Sequence, residues 1–476
     1  MKRYDKCYID GEWVKPLASR DFELINPATE APFACVSLAD AEDVERAVKA
    51  ARRAFPSFST TRKKERIALL ERIVELLAAR ESEIEDIITL ELGSPRNVKM
   101  HTVAALASFR QAIATLKSYE FETRLGGNIV RREPIGVCGI ITPWNWPLQQ
   151  PSTKLSMALA AGCTSVLKPS EFTPLSAILF TQVLHEAGVP KGVFNLVPGD
   201  GPTVGNAIAK HPGIDMVSFT GSTRAGILVA EAAAPTVKRV GQELGGKSAN
   251  IILQDADLSA AARWNAARAF ANTGQSCHAP TRVLVHEKQA DELLELMRQE
   301  ATKVRVGHPQ DPATTMGPVV NKTQFERVQK YIQIGLDEGA RLVCGGPGRP
   351  EGLERGYFVK PTIFADVKPE MTIAQEEIFG PVLAVLSYST EAQAIEIANG
   401  TEYGLGGYVF TKNRERGHAV GAQLRAGRVF LNGAASNTAA PMGGYKRSGN
   451  GREMGVFGLE EFLEVKAMIG FDPVAA

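Results

Sequence analysis

The chain has 476 residues, 44% of them hydrophobic and 22% charged, with a formal net charge of +1. At about 150 residues per domain, that length holds roughly three domains with sizeable cores. The balance of 54 basic against 53 acidic residues leaves no global basic field, which argues against nucleic acid or an anionic membrane as partner. The six cysteines, Cys7, Cys35, Cys138, Cys163, Cys277 and Cys344, form no C-x-x-C pair. That is not a disulfide scaffold and fits a reducing cytoplasm. The start, M-K-R-Y-D-K-C-Y-I-D, lacks the apolar run of a signal peptide. No stretch approaches the roughly 18 apolar residues of a membrane span. A soluble cytoplasmic protein is expected.

In chain order, the spacing of Ile67, Leu70, Val74 and Leu77 predicts one long amphipathic helix over 62–92, stopped by Gly93-Ser94-Pro95. A second helix is expected over 103–117. Residues 118–134 carry a hairpin signal at Gly126-Gly127-Asn128 between segments of β character. This segment interrupts two α/β regions and reads as an arm. Strands are then expected at 135–142, 164–167, 194–197 and 216–220, alternating with helices at 152–161, 174–187, 202–210 and 224–233. Short buried strands between helices predict a parallel sheet with right-handed crossovers, hence a Rossmann-like, doubly wound α/β domain. A second α/β alternation follows, with strands at 249–253, 281–286, 382–387 and 408–411 and helices at 258–271, 288–303, 322–338 and 413–424. Residues 305–320 and 345–381 read as Gly/Pro-rich connections.

Two stretches suggest chemistry. Residues 272–280, N-T-G-Q-S-C-H-A-P, place a thiol among small and polar neighbours. Taken alone, Cys277 is open to four readings: packing residue, metal ligand, disulfide half or nucleophile. Residues 241–248, G-Q-E-L-G-G-K-S, match the phosphate-loop pattern G-x-x-x-x-G-K-[ST]. That pattern needs a helix directly after Lys247-Ser248, whose amides would hold the phosphates. Here the chain runs into Ile251-Ile252-Leu253, which reads as a strand, so a triphosphatase is disfavoured.

Seven segments occur in one order: P-W-N-W-P-L (143–148), K-P-S-E (168–171), F-T-G-S-T (219–223), E-L-G-G-K (243–247), G-Q-S-C (274–277), E-E-I-F-G-P-V (376–382) and P-M-G-G-Y-K-R-S-G (441–449). Together, and nearly end to end, they resemble the NAD(P)-dependent aldehyde dehydrogenases. The resemblance implies a cofactor domain (1–117 and 135–244), a second α/β catalytic domain (245–440), and a β-hairpin oligomerisation arm with a tail (118–134 and 458–476). A homo-oligomer, dimer or tetramer, follows from that arm.

The resemblance also implies roles. Cys277 is the nucleophile, whose thiolate adds to an aldehyde to give a thiohemiacetal. Asn145 and the Cys277 backbone N–H form the oxyanion hole. Glu243 is the general base, and its presence implies water rather than coenzyme A as acyl acceptor. Ile141, Thr142, Pro143, Trp144, Gly221, Ser222, Gly226 and Leu244 line the cofactor site, with Glu377 on the nicotinamide ribose and Phe379 against the ring. Lys168 and Glu171, at the end of a strand, meet the adenosine ribose. The carboxylate there favours NAD, while Lys168 would tolerate NADP. Trp146, Gln150, Thr153, Ala271, Ser276, His278 and Asn437 are pocket candidates, without the Phe wall expected for long apolar chains and with no obvious paired Arg. Neighbouring residues usually point apart, so Cys277 and His278 are not expected to form a dyad. The histidines show no metal-ligand spacing, and no metal is expected. The alternatives are a coenzyme A-acylating enzyme and a non-catalytic protein on the same fold.

Overall fold

A computed structural model of the chain describes residues 1–470. Its largest sheet has eight strands. The central five, in spatial order, are Arg239–Glu243, Met216–Thr220, Val137–Ile141, Thr164–Lys168 and Phe194–Leu196, all parallel. Numbered along the chain, this is the order 5-4-1-2-3 of a doubly wound sheet. The order reverses at Val137–Ile141, and ligands of such sheets bind at the carboxyl ends there. The strands from 137 to 220 read as continuous apolar runs because helices cover both faces, and every residue of Val137–Ile141, Thr164–Lys168 and Met216–Thr220 is buried.

A second sheet has seven strands, in the order Arg341–Cys344, Thr362–Ala365, Val382–Tyr388, Arg282–His286, Ala249–Ile252, Gly406–Phe410 and Arg428–Leu431. All pair parallel except the first, which is antiparallel. The strand Ala249–Ile252 lies directly after Lys247-Ser248, so there is no helix to complete a phosphate loop.

The expected hairpin forms, with Glu122–Leu125 and Asn128–Pro134 joined across Gly126 (φ 54°) and Gly127 (φ 75°). Two positive φ values are what a tight hairpin turn of matching twist requires. The tail strand Leu463–Met468 pairs antiparallel with Asn128–Pro134, making a three-stranded arm. The end of the tail segment, 471–476, lies outside the described residues. Among the described residues, no helix is long and apolar enough to cross a membrane.

Several expectations need correction. The single helix over 62–92 is two, Lys63–Ala79 and Glu81–Leu92, broken at Arg80 (φ −105°, ψ 14°). There Arg80 N–H bonds to Leu77 O, a tight i→i−3 turn with neither Gly nor Pro to signal it. The helix Ala41–Ser59 was not anticipated. It is N-capped by Asp40, whose carboxylate accepts from the Glu42 and Asp43 N–H groups. Nor were the amino-terminal strands, of which Cys7–Ile9 and Glu12–Val14 extend the first sheet beyond Phe194–Leu196. The supposed connection 345–381 contains the buried strand Thr362–Ala365.

Candidate active site

The site is built where the reversing strands end. Val137–Ile141 runs into Pro143–Asn145, and Met216–Thr220 runs into Gly221-Ser222 and the helix Thr223–Ala233. Ser222 caps that helix by accepting from Ala225 N–H. Its first turn therefore points amide N–H groups and the positive dipole end at the crevice. A cleft of about 540 Å³ lies here. Of the expected cofactor residues, Pro143, Trp144, Gly221, Ser222, Leu244, Glu377 and Phe379 line it. Trp144 and Phe379 meet edge to face, with ring centroids 5.3 Å apart. Ile141 ends the strand behind the cleft, and Thr142 follows it. Gly226 is buried, and a Cβ there would sit 2.6 Å from Leu244 Cδ2, so a larger residue would have to displace the Leu244 side chain from the cleft wall. Lys168 and Glu171 pair at 3.2 Å on the next strand end, outside the cleft's own lining.

Phe379 has φ 64°, a left-handed backbone unusual for an aromatic residue. Its carbonyl accepts from Gln324 Nε2 at 2.7 Å, and that of Glu377 accepts from Arg327 Nη2 at 2.6 Å. The Glu377 carboxylate accepts from Gly246 N–H at 3.0 Å. Burial pushes the Glu377 carboxyl up to about 7, against the opposing pull of that bond.

Cys277 follows a strained segment. Asn272 (φ 50°) and Thr273 (φ 57°) are both left-handed. For a β-branched residue this is a genuine outlier, costing about 1–3 kcal/mol. Side chains hold it in place: Thr273 Oγ1 donates to Gly317 O at 3.1 Å, Asn272 Nδ2 to Asn145 O at 2.8 Å, and Val320 N–H to Gln275 Oε1 at 2.9 Å. Gly274 has φ 71°, and a Cβ there would lie 2.2 Å from Gly380 O.

Asn145, 3% exposed, donates through Nδ2 to Gln275 O at 2.9 Å. An amide NH₂ carries two protons, so one N–H remains for another acceptor. A second cavity, of about 310 Å³, opens on the other side of Cys277. Trp146, Gln150 and His278 line it, together with Arg268, Phe430 and Met442. Trp146 is fixed by a 3.1 Å bond from Nε1 to Ser276 Oγ. Asn437 does not face this cavity. It lines a neighbouring groove, while Ser436 and Thr438 face the cavity. In an irregular loop, sequence does not set which of three successive residues points in. Thr153 likewise lines a different, smaller cavity.

Burial pushes the Cys277 thiol up, and Glu377, Glu243 and Glu453 add to the effect. Glu243 is buried, and neither carboxylate oxygen has a hydrogen-bond partner among the described residues. It faces a cavity of about 20 Å³ lined also by Lys154 and Glu453, which is room for one water. Burial, then the charge of Glu453, raises the Glu243 carboxyl well above the ordinary range, and Lys154 opposes them. Lys154 is ion-paired to Glu453 and donates to Ser218 Oγ at 3.1 Å.

The family model for the "Aldehyde dehydrogenase family" matches residues 13–468. The chain belongs to the aldehyde dehydrogenase family. It is 53% identical over 475 residues to a 3-succinoylsemialdehyde-pyridine dehydrogenase of a Pseudomonas species, covering 99% of this chain and 100% of that one. It superposes with a TM-score of 0.98, at 52% identity, on aldehyde dehydrogenase C from Pseudomonas syringae, a mutant solved with NAD+ and octanal, over 99% and 98% of the two chains. A Mycobacterium tuberculosis aldehyde dehydrogenase complexed with NAD+ gives 0.96 at 42% identity, over 100% and 99%.

Within this family member, sequence reading missed Lys154, Glu453, Arg268, Arg327 and Gln324. Lys154 did leave a signal. The helix Gln149–Ala161 is made of small residues and is buried on nearly all sides, so a lone lysine inside it had to find a partner. His278 lies closer to the thiol than expected, with Nδ1 3.9 Å from Cys277 Sγ. The residues occupy a turn, where the alternation rule of strands does not apply.

Proposed function

We propose that this chain oxidises an aldehyde to a carboxylic acid with NAD, through a covalent adduct on Cys277. One observation carries the reading: Cys277 and Gln150 are the two residues that line both the 540 Å³ cleft and the 310 Å³ cavity. A nucleophile at that junction touches a substrate from one side and a cofactor from the other. NAD fits the cleft's features: a helix amino terminus for the pyrophosphate, Phe379 as a flat apolar wall, and the buried hydroxyl of Thr220, which has no partner among the described residues. Bound there, it would supply the hydride acceptor. The Glu171 carboxylate beside Lys168 suits a free ribose hydroxyl better than a phosphate.

The chain's own residues then act as follows. The Cys277 thiolate adds to the aldehyde carbon, and the remaining Asn145 N–H meets the developing oxyanion. Glu243, whose buried carboxyl holds its proton tightly, is a strong base once ionised. It takes a proton from the thiol or from the water that cleaves the thioester. The pocket of Glu243, Lys154 and Glu453 gives that proton a way out. Retention of Glu243 favours water over coenzyme A as acyl acceptor. An intact set of Cys277, Asn145 and Glu243 speaks against a non-catalytic role.

The 118–134 arm and the tail strand present open edges, with Leu125 and Val465 68% and 65% exposed. We read this as an oligomerisation surface in a homodimer or tetramer, since such edges call for a partner. A monomeric mass by light scattering overturns that. The catalytic reading is tested by following NADH over aliphatic, aromatic and carboxylated aldehydes with the parent and Cys277→Ala. Activity in the parent alone supports it, and equal activity in both overturns it.

A further inference from the structure

The residue after the nucleophile has an arrangement that the catalytic reading leaves unused. His278 Nε2 lies 2.9 Å from Arg268 Nη2. A guanidinium has donors only, so Nε2 is the acceptor and carries no proton. The ring's one proton is then on Nδ1. That nitrogen faces Cys277 Sγ at 3.9 Å, within range of a weak N–H···S bond. The backbone is pinned as well, since Tyr408 Oη donates to His278 O at 2.6 Å.

The charges around the thiol give this bond its importance. Glu377, Glu243 and Glu453 all oppose a thiolate at Cys277. Arg268 on the helix Leu258–Phe270 and Arg428 on the strand Arg428–Leu431 line the cavity with His278, and Tyr408 on Gly406–Phe410 meets the His278 carbonyl. Arg428 donates through Nε to Pro441 O and through Nη2 to Ala440 O, at 2.6 Å each, and through Nη1 to Ser436 Oγ at 3.4 Å. His278 is the side chain that reaches Sγ with a donor among the described residues.

We propose that His278, held by Arg268 as the Nδ1–H tautomer, is a catalytic hydrogen-bond donor to the Cys277 thiolate, with Arg268 as its positioning residue. This is the reverse of a Cys–His pair in which the imidazole removes the thiol proton, because the lone pair needed for that is turned toward Arg268. Nor is the ring an imidazolium counter-ion at neutral pH. Burial, then Arg268 and Arg428, push it down to about 3. A neutral donor stabilises Sγ at two moments: when the thiolate attacks, and when hydrolysis of the thioester expels it again.

The inference rests on Cys277 being the nucleophile, so its test avoids aldehyde turnover. Iodoacetamide alkylation of Cys277 is followed by peptide mass spectrometry on the full-length protein from pH 6 to 9. One hydrogen bond to a charged acceptor corresponds to about a tenfold change. His278→Leu is therefore expected to slow alkylation about tenfold at every pH below the thiol's own titration. His278→Asn, whose amide N–H replaces Nδ1–H, recovers most of the rate. Arg268→Leu slows it and Arg268→Lys restores it. Circular dichroism melts confirm that each variant is folded. Alkylation of His278→Leu at the parental rate overturns the proposal, as does His278→Asn as slow as His278→Leu. An active Cys277→Ala enzyme would instead overturn the nucleophile itself.

Discussion

Replacing Asn145 by alanine separates catalysis from stability, because its amide has two hydrogens with two destinations. One is committed to Gln275 O at 2.9 Å. In the mechanism proposed above, the other meets the oxyanion. Losing the committed bond costs little, since Gln275 O keeps a second donor, Asn272 Nδ2, at 3.3 Å. About 1 kcal/mol of stability is expected to go, and a chain of this size should then melt only a few degrees lower. Losing the free N–H should cost about 10²–10³ in kcat, as for other oxyanion-hole donors. The assay is steady-state NADH formation at saturating NAD and aldehyde, with calorimetric melting alongside. Asn145→Asp sharpens it. The shape is kept, but a charged oxygen then faces both Gln275 O and the developing oxyanion, so Asp should be worse than Ala. A folded Asn145→Ala enzyme within tenfold of the parent kcat refutes the reasoning, and so does an Asp variant faster than the Ala variant.

Four further outcomes are expected. Glu243→Gln should still form the acyl-enzyme but hydrolyse it about 10²–10⁴-fold more slowly, giving a stoichiometric NADH burst in rapid mixing; parental steady-state rates would argue against a base. Lys154→Met leaves the half-buried Glu453 carboxylate without its ion-pair partner and should cost about 1–3 kcal/mol in denaturant unfolding, whereas a neutral effect would mean that the pair contributes nothing in solution. The Glu91 carboxyl, buried where it accepts from Leu175 and Ser176 N–H, is raised from 4.5 to about 7 by burial. The folded state therefore holds a proton that the unfolded state has lost, and stability present below pH 4.5 declines as pH rises toward 7, by up to about 3 kcal/mol. Glu91→Gln should flatten that decline in melts from pH 5 to 8, and equal slopes would refute it. Glu171→Gln should raise kcat/KM for NADP relative to NAD; an unchanged ratio would move the discrimination elsewhere.

Much of this was legible in the sequence because the relevant patterns are local. The parallel strands announce themselves as short apolar runs, and Gly126-Gly127 marks its turn through two positive φ values. What stayed hidden depends on distant partners. Cys7–Ile9 joins the first sheet only by pairing with Leu196. Arg80 breaks a helix without a breaker residue. Lys154 finds Glu453 almost three hundred residues away. Whether His278 faces its neighbour's sulfur depends on turn geometry that no periodicity encodes.

The segment before Cys277 is tied to Asn145 on one stretch of chain and to Gly317 and Val320 on another. Its strained shape is thus a property of the assembled fold. Grafting 271–280 alone into another scaffold should relax Thr273 to an ordinary backbone and turn the thiol away. A functional transplant would need 143–147 and 317–320 to travel with it. The smallest portable unit of this chemistry is three loops rather than one.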